Sequence, residues 1–228
     1  MESARLLWED ITDHLVNKLG FIANPYDMCI ANKMIEGKQC TILWHVDDFK
    51  VSHPSETIVY QVIADLEERY GKMAVKHGPE QTFVGMDITF LQNDEVRFCI
   101  KGHVVDAIDD FPEEISSSRT SSTSDGVFTV SSTSQVLDAD SGILFHSIFA
   151  KILFISRRAR PDIQVPIGFL GTGITCSTQE DWIKLKLVLE YLKNTIETPL
   201  TLGMNGTSLV SWWVDASYGV HLDMKSQT

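Results

Sequence analysis

Two aspartates stand side by side in CTILWHVDDFKVSH, residues 40–53, and no Lys or Arg comes next to them before Lys50. Adjacent carboxylates repel unless a positive partner binds. Asp47 and Asp48 are therefore either an ordinary solvated turn or a cation site. Mg²⁺ suits the second reading, because it takes hard oxygen ligands, keeps several waters and needs only one or two protein carboxylates plus substrate phosphates. In two-metal phosphoryl transfer, ions about 3.5–4 Å apart stabilise the attacking and leaving oxygens. Such chemistry requires a rigid support.

The flanking residues supply that support. Cys40, Ile42, Trp44 and Val46 alternate with Thr41, Leu43 and His45. This predicts a strand over 40–46 with one buried face. Residues 28–35 and 40–46 form a hairpin across EGKQ, and residues 49–53 continue as a third strand beyond the acids. Leu6, Leu7, Ile11, Leu15 and Leu19 predict a helix over 4–19, capped at Gly20. Ile58, Val62, Ile63, Leu66 and Tyr70 predict a second helix over 55–70, with Ser55 as N-cap. Strands are expected at 82–90 and 95–100, and a short helix at 102–111.

From 115 to 135 the composition turns to Ser and Thr (ISSSRTSSTSDGVFTVSSTSQ). Such a segment buries little apolar surface and reads as a mobile linker. Three helices follow, at 143–157, from Pro161 toward Gly171 or Gly173, and at 178–195. The last opens with capping-box spacing between Ser177 and Glu180. SLVSWWVDASYGV, 208–220, reads as a strand reaching Asp215.

The 228 residues suffice for one large domain or two small ones, with 43% apolar and 22% charged residues. The net charge of −12 and pI near 4.9 argue against a stand-alone nucleic-acid binder, which usually carries a basic face. Between 145 and 195, however, Lys and Arg outnumber the acids, and Arg157, Arg158 and Arg160 are candidates for phosphate contacts. Cys29, Cys40, Cys99 and Cys176 form no CxxC pair, which excludes a sequence-evident zinc site or disulfide framework. Scattered thiols fit a reducing, intracellular setting, cytoplasm or nucleus. The N-terminus does not read as a signal peptide, and no apolar run is long enough to predict a membrane span.

Several stretches together resemble a known family. WHVDDFKVSH is similar to the catalytic hairpin in the palm of reverse transcriptases, an aromatic-x-Asp-Asp between two strands. The order of the remaining landmarks resembles the Ty1/copia class of retrotransposon polyproteins. LLWEDITDHLVNKLGFIANPYDMCI looks like the helix and strand before the hairpin, and FVGMDITF like the strand beyond it. HSIFAKILFISRRARPDIQVPIGFL resembles the helical segment with an Ala-Arg-Pro-Asp-Ile signature. DWIKLKLVLEYLKNTIETPLTL resembles the helix after it, and WWVDASYGVHLDMKSQT the opening strand of the family's ribonuclease H domain.

The resemblance implies an α+β fold: a partial polymerase palm-like antiparallel sheet with helices, a helical connection and the first strand of a ribonuclease H-like domain. The implied organisation is partial palm and thumb-like region at 1–112, Ser/Thr-rich linker at 113–142, helical connection at 143–206, and the start of ribonuclease H at 207–228. The implied activity is RNA-directed DNA synthesis, a nucleotidyl transfer using Mg²⁺ and deoxynucleoside triphosphates on an RNA template. Asp47 and Asp48 match its catalytic, metal-binding carboxylates, and Asp215 matches the first metal ligand of ribonuclease H. The basic stretch around Arg157, Arg158 and Arg160 suits phosphate contacts to an RNA–DNA hybrid.

The chain departs from the pattern in two ways. His45 replaces the usual tyrosine. The family's other palm aspartate has no match, since Asp10 and Asp13 lie on a helix and Asp27 begins a strand. The expectation is a polyprotein fragment inactive on its own. The alternative is a non-enzymatic folded remnant that binds nucleic acid weakly. Asp223 matches no metal ligand, Trp212 and Trp213 read as sheet residues, and GFLGTGI lacks a nucleotide-binding fingerprint.

Overall fold

The computed structural model describes residues 2–203, other than 93, 118, 124, 125 and 132, together with 206 and 214. It is an α+β protein with two antiparallel sheets and, among the described residues, six α-helices. The chain divides into two compact units, Met1–Val84 and Gly85–Thr228.

In the first unit, α1 (Glu2–Asp13) runs into a π-helical turn (His14–Lys18), in which the Leu19 amide donates to the His14 carbonyl at 3.0 Å. Gly20 follows at φ +73°, a left-handed conformation that glycine adopts without a Cβ penalty. Strands β1 (Ile22–Ala23), β2 (Ile30–Ile35), β3 (Lys38–His45) and β4 (Asp48–Ser52) form an antiparallel meander in that order. Cys40, Ile42 and Trp44 turn inward, as their spacing predicts, while Val46 leaves the strand for the turn.

Helix α2 (Glu56–Tyr70) contributes Ile58, Val62 and Leu66 to the same core as Ile11 and Leu15 of the N-terminal helical segment. Each such side chain, fully buried, stabilises by about 1.5–3 kcal/mol. Arg69 and Tyr70 tie α2 to Asp10 of α1. Ser55 occupies the N-cap position but its side chain makes no cap bond.

The division falls inside a turn. The single strand expected at 82–90 is two, β5 (Glu80–Phe83) and β6 (Met86–Phe90), because Val84 and Gly85 both take positive φ. In the second unit β6, β7 (Glu95–Cys99) and β8 (Leu200–Gly203) run antiparallel in that order. Helices α3 (Lys101–Asp109), α4 (Ala139–Arg158), α5 (Gln164–Gly171) and α6 (Gln179–Asn194) complete it. Helix α4 is long and apolar enough, by length and composition, to cross a membrane. Its Phe145, Ile148, Phe149, Ile152 and Ile155 are instead buried in this unit's core.

The Ser/Thr-rich segment differs from the expected linker. Ile115 and Val127 are buried, and Ser122 donates to the Asp162 carbonyl at 2.8 Å. Lys184, itself buried, donates to the Thr129 carbonyl, and Glu180 accepts from the Ser131 amide at 2.8 Å. A few apolar anchors and side-chain bonds to backbone hold a stretch whose composition alone predicts no packing. The capping box of α6 is one residue later than its sequence spacing suggests: Thr178 accepts from the Asp181 amide, and Asp181 accepts from the Thr178 amide.

Candidate functional site

Asp47 and Asp48 sit at the tip of the β3–β4 hairpin. Trp44 pairs with Phe49 and His45 with Asp48, so Val46 and Asp47 form a two-residue turn. Val46 has φ +56°, whereas Asp47 does not take positive φ. A positive φ at the first turn residue alone is the type II′ pattern, which ordinarily takes glycine there. A β-branched residue in that conformation is strained by about 1–3 kcal/mol.

The pairing decides which way the neighbours face. Trp44 is buried on the inner face of the sheet. Successive residues of a strand alternate between faces, so the next pair outward, His45 and Asp48, lies on the opposite, open face. His45, Val46, Asp47 and Asp48 are all exposed. Among the described residues, none of His45, Asp47 and Asp48 makes a side-chain hydrogen bond or an ion pair. Lys50 shares the open face with Asp48 but is half-buried and donates to Gln81. Burial pushes its ammonium below the ordinary lysine range.

The indole Nε1 of Trp44, in the core beneath the turn, has no hydrogen-bond partner among the described residues. It belongs to the inner face and contributes nothing to the acid pair.

As a cation site this donor set fits in part. Two hard, uncompensated oxygen groups stand on adjacent residues of a hydrogen-bonded hairpin, which is what a Mg²⁺ ion that keeps most of its waters requires. Among the described residues, however, no three His, Cys, Asp or Glu side chains group closely enough to hold a metal.

The basic candidates separate. Arg157 and Arg158 are exposed at the C-terminus of α4, and the Arg158 guanidinium lies 5.4 Å from the Phe154 ring centroid. Arg160 is only 2% exposed. Its Nε and one terminal nitrogen donate to the Asp162 carboxylate at 3.0 and 2.7 Å. It also donates to the Thr195 carbonyl at 2.9 Å and to the Thr195 hydroxyl at 2.6 Å. Tyr191 donates to the same Asp162 carboxylate at 2.7 Å. Burial pushes the Asp162 carboxyl up, but the bonds from Arg160 and Tyr191 outweigh it and leave it below its ordinary value. Arg160 therefore braces the end of α4 against the end of α6, and offers no exposed donor to a phosphate. Its place just after Arg157 and Arg158 in the sequence gave no sign of this.

Gly85 also has a local reason. At φ +70°, a Cβ there would meet the His103 Nε2 at 2.2 Å. Asp215, Trp212, Trp213 and Asp223 lie outside the described residues.

No protein-family model matches the chain, and no solved structure matches it.

Proposed function

We propose that this chain is part of a copia-type reverse transcriptase, carrying later palm, thumb-like and connection regions, with Asp47 and Asp48 as carboxylates that hold Mg²⁺. The observation that carries this reading is the pair of exposed, unpartnered acids at the tip of a hairpin whose sheet is backed by helices. Bound there, the ion would supply charge stabilisation for nucleotidyl transfer. The hairpin holds the two carboxylates on a rigid support and exposes them on its open side. Asp215 belongs to the same proposal, as the first carboxylate of a ribonuclease H-like site.

With only two acids gathered at the tip among the described residues, the chain alone should bind the ion and synthesise little or no DNA. The test is a Mg²⁺ titration followed by NMR, paired with primer extension on an RNA template. Saturable shifts at residues 45–50 that vanish in Asp47→Asn and Asp48→Asn are expected. Shifts unaffected by either substitution refute the metal assignment, and template-dependent incorporation refutes the inactivity.

A second reading, a non-enzymatic module that binds nucleic acid weakly, is favoured by one observation. Arg157 and Arg158 remain exposed at the end of a well-packed helix. Hybrid binding that weakens with salt and with Arg157→Ala, in a chain that takes no metal, supports it.

A further inference from the structure

We infer that residues 126–131 form a latch that opens as a unit while the core of the second unit stays folded, and that Glu180 and Lys184 of α6 hold it shut. The device is independent of the hairpin acids.

The way this segment is held sets it apart from the chain on either side. Before it, Ser122 is buried and donates to the Asp162 carbonyl at 2.8 Å. After it, backbone holds backbone: the Gln179 amide donates to the Gln135 carbonyl and the Leu137 amide to the Ser177 carbonyl, each at 2.9 Å. Between these anchors, residues 126–131 meet α6 through its side chains. The Thr129 hydroxyl and the Ser131 amide donate to the two oxygens of the Glu180 carboxylate, at 3.1 and 2.8 Å. Lys184 donates to the Thr129 carbonyl, and its ammonium lies 3.5 Å from Glu180 and 3.9 Å from Asp181. Two side chains one helical turn apart therefore carry the polar hold on the segment among the described residues.

Packing gives independent support. Val127 is fully buried, and Phe128 meets the Phe169 ring edge-on with 5.4 Å between centroids. Yet neither Val127 nor Phe169 belongs to the core that Phe145, Ile148 and Ile152 build with α3 and α6. Small satellite clusters of this kind lie under long loops. Regions with few buried apolar contacts open locally at lower free energy than the main core. A buried ammonium needs its acceptors, and Lys184, whose side chain is only 3% exposed, loses the Thr129 carbonyl when the segment lifts. Water that enters on lifting replaces that acceptor, so the open form costs a few bonds rather than a core. Opening bares the Lys184 ammonium beside the Phe169 ring, over which it sits at 5.2 Å. The latch thus governs access to a cation held against an aromatic ring.

The test is native-state amide hydrogen exchange on the full chain, read at Ser131 and at the core amides of α4, in the wild type, Glu180→Gln and Lys184→Met. In the wild type Ser131 should exchange faster than α4. Losing a hydrogen bond to a charged group should favour opening by about 10–100-fold. Ser131 should accordingly exchange at least about tenfold faster in each variant, with α4 unchanged, and chymotrypsin cleavage after Phe128 should rise in step. The Glu180 side chain is 23% exposed, so Glu180→Gln carries the test if Lys184→Met fails to fold. Ser131 exchanging only together with α4 in the wild type overturns the separate opening. Equal acceleration of Ser131 and α4 in the variants makes the pair part of the core and overturns the latch. Acceleration in one variant alone overturns the role of the other residue, and acceleration in neither overturns both roles.

Discussion

Two charged stretches of the chain, HVDD and ARPDI, have opposite physical characters in the structure. In HVDD, the acids are exposed and unpartnered at a strained turn. In ARPDI, Arg160 is buried and its donors are taken up by Asp162 and Thr195. Uncompensated charge in the open does little for stability and is available for a ligand. Compensated charge in the interior specifies how two helix ends meet and is unavailable. Charge thus stands open in one region and is built into the architecture in the other, and only its surroundings tell the two apart.

The sharpest way to break this contrast is to remove the buried Arg160. Arg160→Met removes a buried guanidinium and its bonds to Asp162 and Thr195; because the Asp162 side chain is 34% exposed, the loss should lie at or below the low end of the about 3–5 kcal/mol that breaking a fully buried ion pair costs. Chemical denaturation of the second unit should show a loss of that order. A loss under about 1 kcal/mol would return Arg160 to the candidates for phosphate binding.

A pH series sharpens the same point. The folded Asp162 carboxyl lies below its ordinary value of 3.8. Its contribution is therefore fully present above that value and is lost as pH falls through the lower folded one. Unfolding midpoints measured downward from pH 5 should fall in the wild type near and below pH 4, and fall less steeply in Tyr191→Phe, which removes one of the bonds that hold the carboxylate ionised. Equal slopes would show that the Tyr191 bond does not govern this titration.

Much of the hairpin side of the contrast was legible in the sequence. Alternation of Cys40, Ile42 and Trp44 with Thr41, Leu43 and His45 gives the strand and its buried face, and the acids mark its end. The type of turn was not legible, because nothing in the pair Val46-Asp47 announces a positive φ. The same blindness joined β5 to β6: Val84 has high strand propensity yet sits in a turn. Strand β8 escaped because LTLG is short and mostly exposed, with its backbone paired to β7 and Leu200 alone half-buried against the core. The 115–135 stretch escaped because its few anchors, such as Val127, are diluted among hydroxyl residues that bond to backbone rather than build a core. His45 stands out in the sequence beside the two acids, but its position opposite Asp48 needed the register.

Strain at the turn gives a smaller effect. Val46 is 48% exposed, so little packing is lost on truncation. Val46→Gly removes the left-handed penalty of a β-branched residue and adds some chain entropy to the unfolded state. The net should be a gain of up to about 1 kcal/mol in the first unit, read by thermal unfolding. A loss would mean that the valine side chain stabilises the tip through contacts its exposure does not reveal.

The smallest effect tests the hairpin most directly. Asp48→Asn keeps the shape of the side chain, removes one of two adjacent like charges, and breaks no side-chain bond among the described residues. Exposed substitutions away from special features shift stability by no more than about 0.5 kcal/mol, and here relief of repulsion should make the shift favourable. Salt screens exposed charges over about 10 Å at 0.1 M, so the gain should shrink as salt is added. Thermal unfolding of wild type and Asp48→Asn, at low and at moderate ionic strength, measures it. A destabilisation that persists in salt would mean that Asp48 has a structural partner, and the contrast with the buried, paired Arg160 would then fail at its open end.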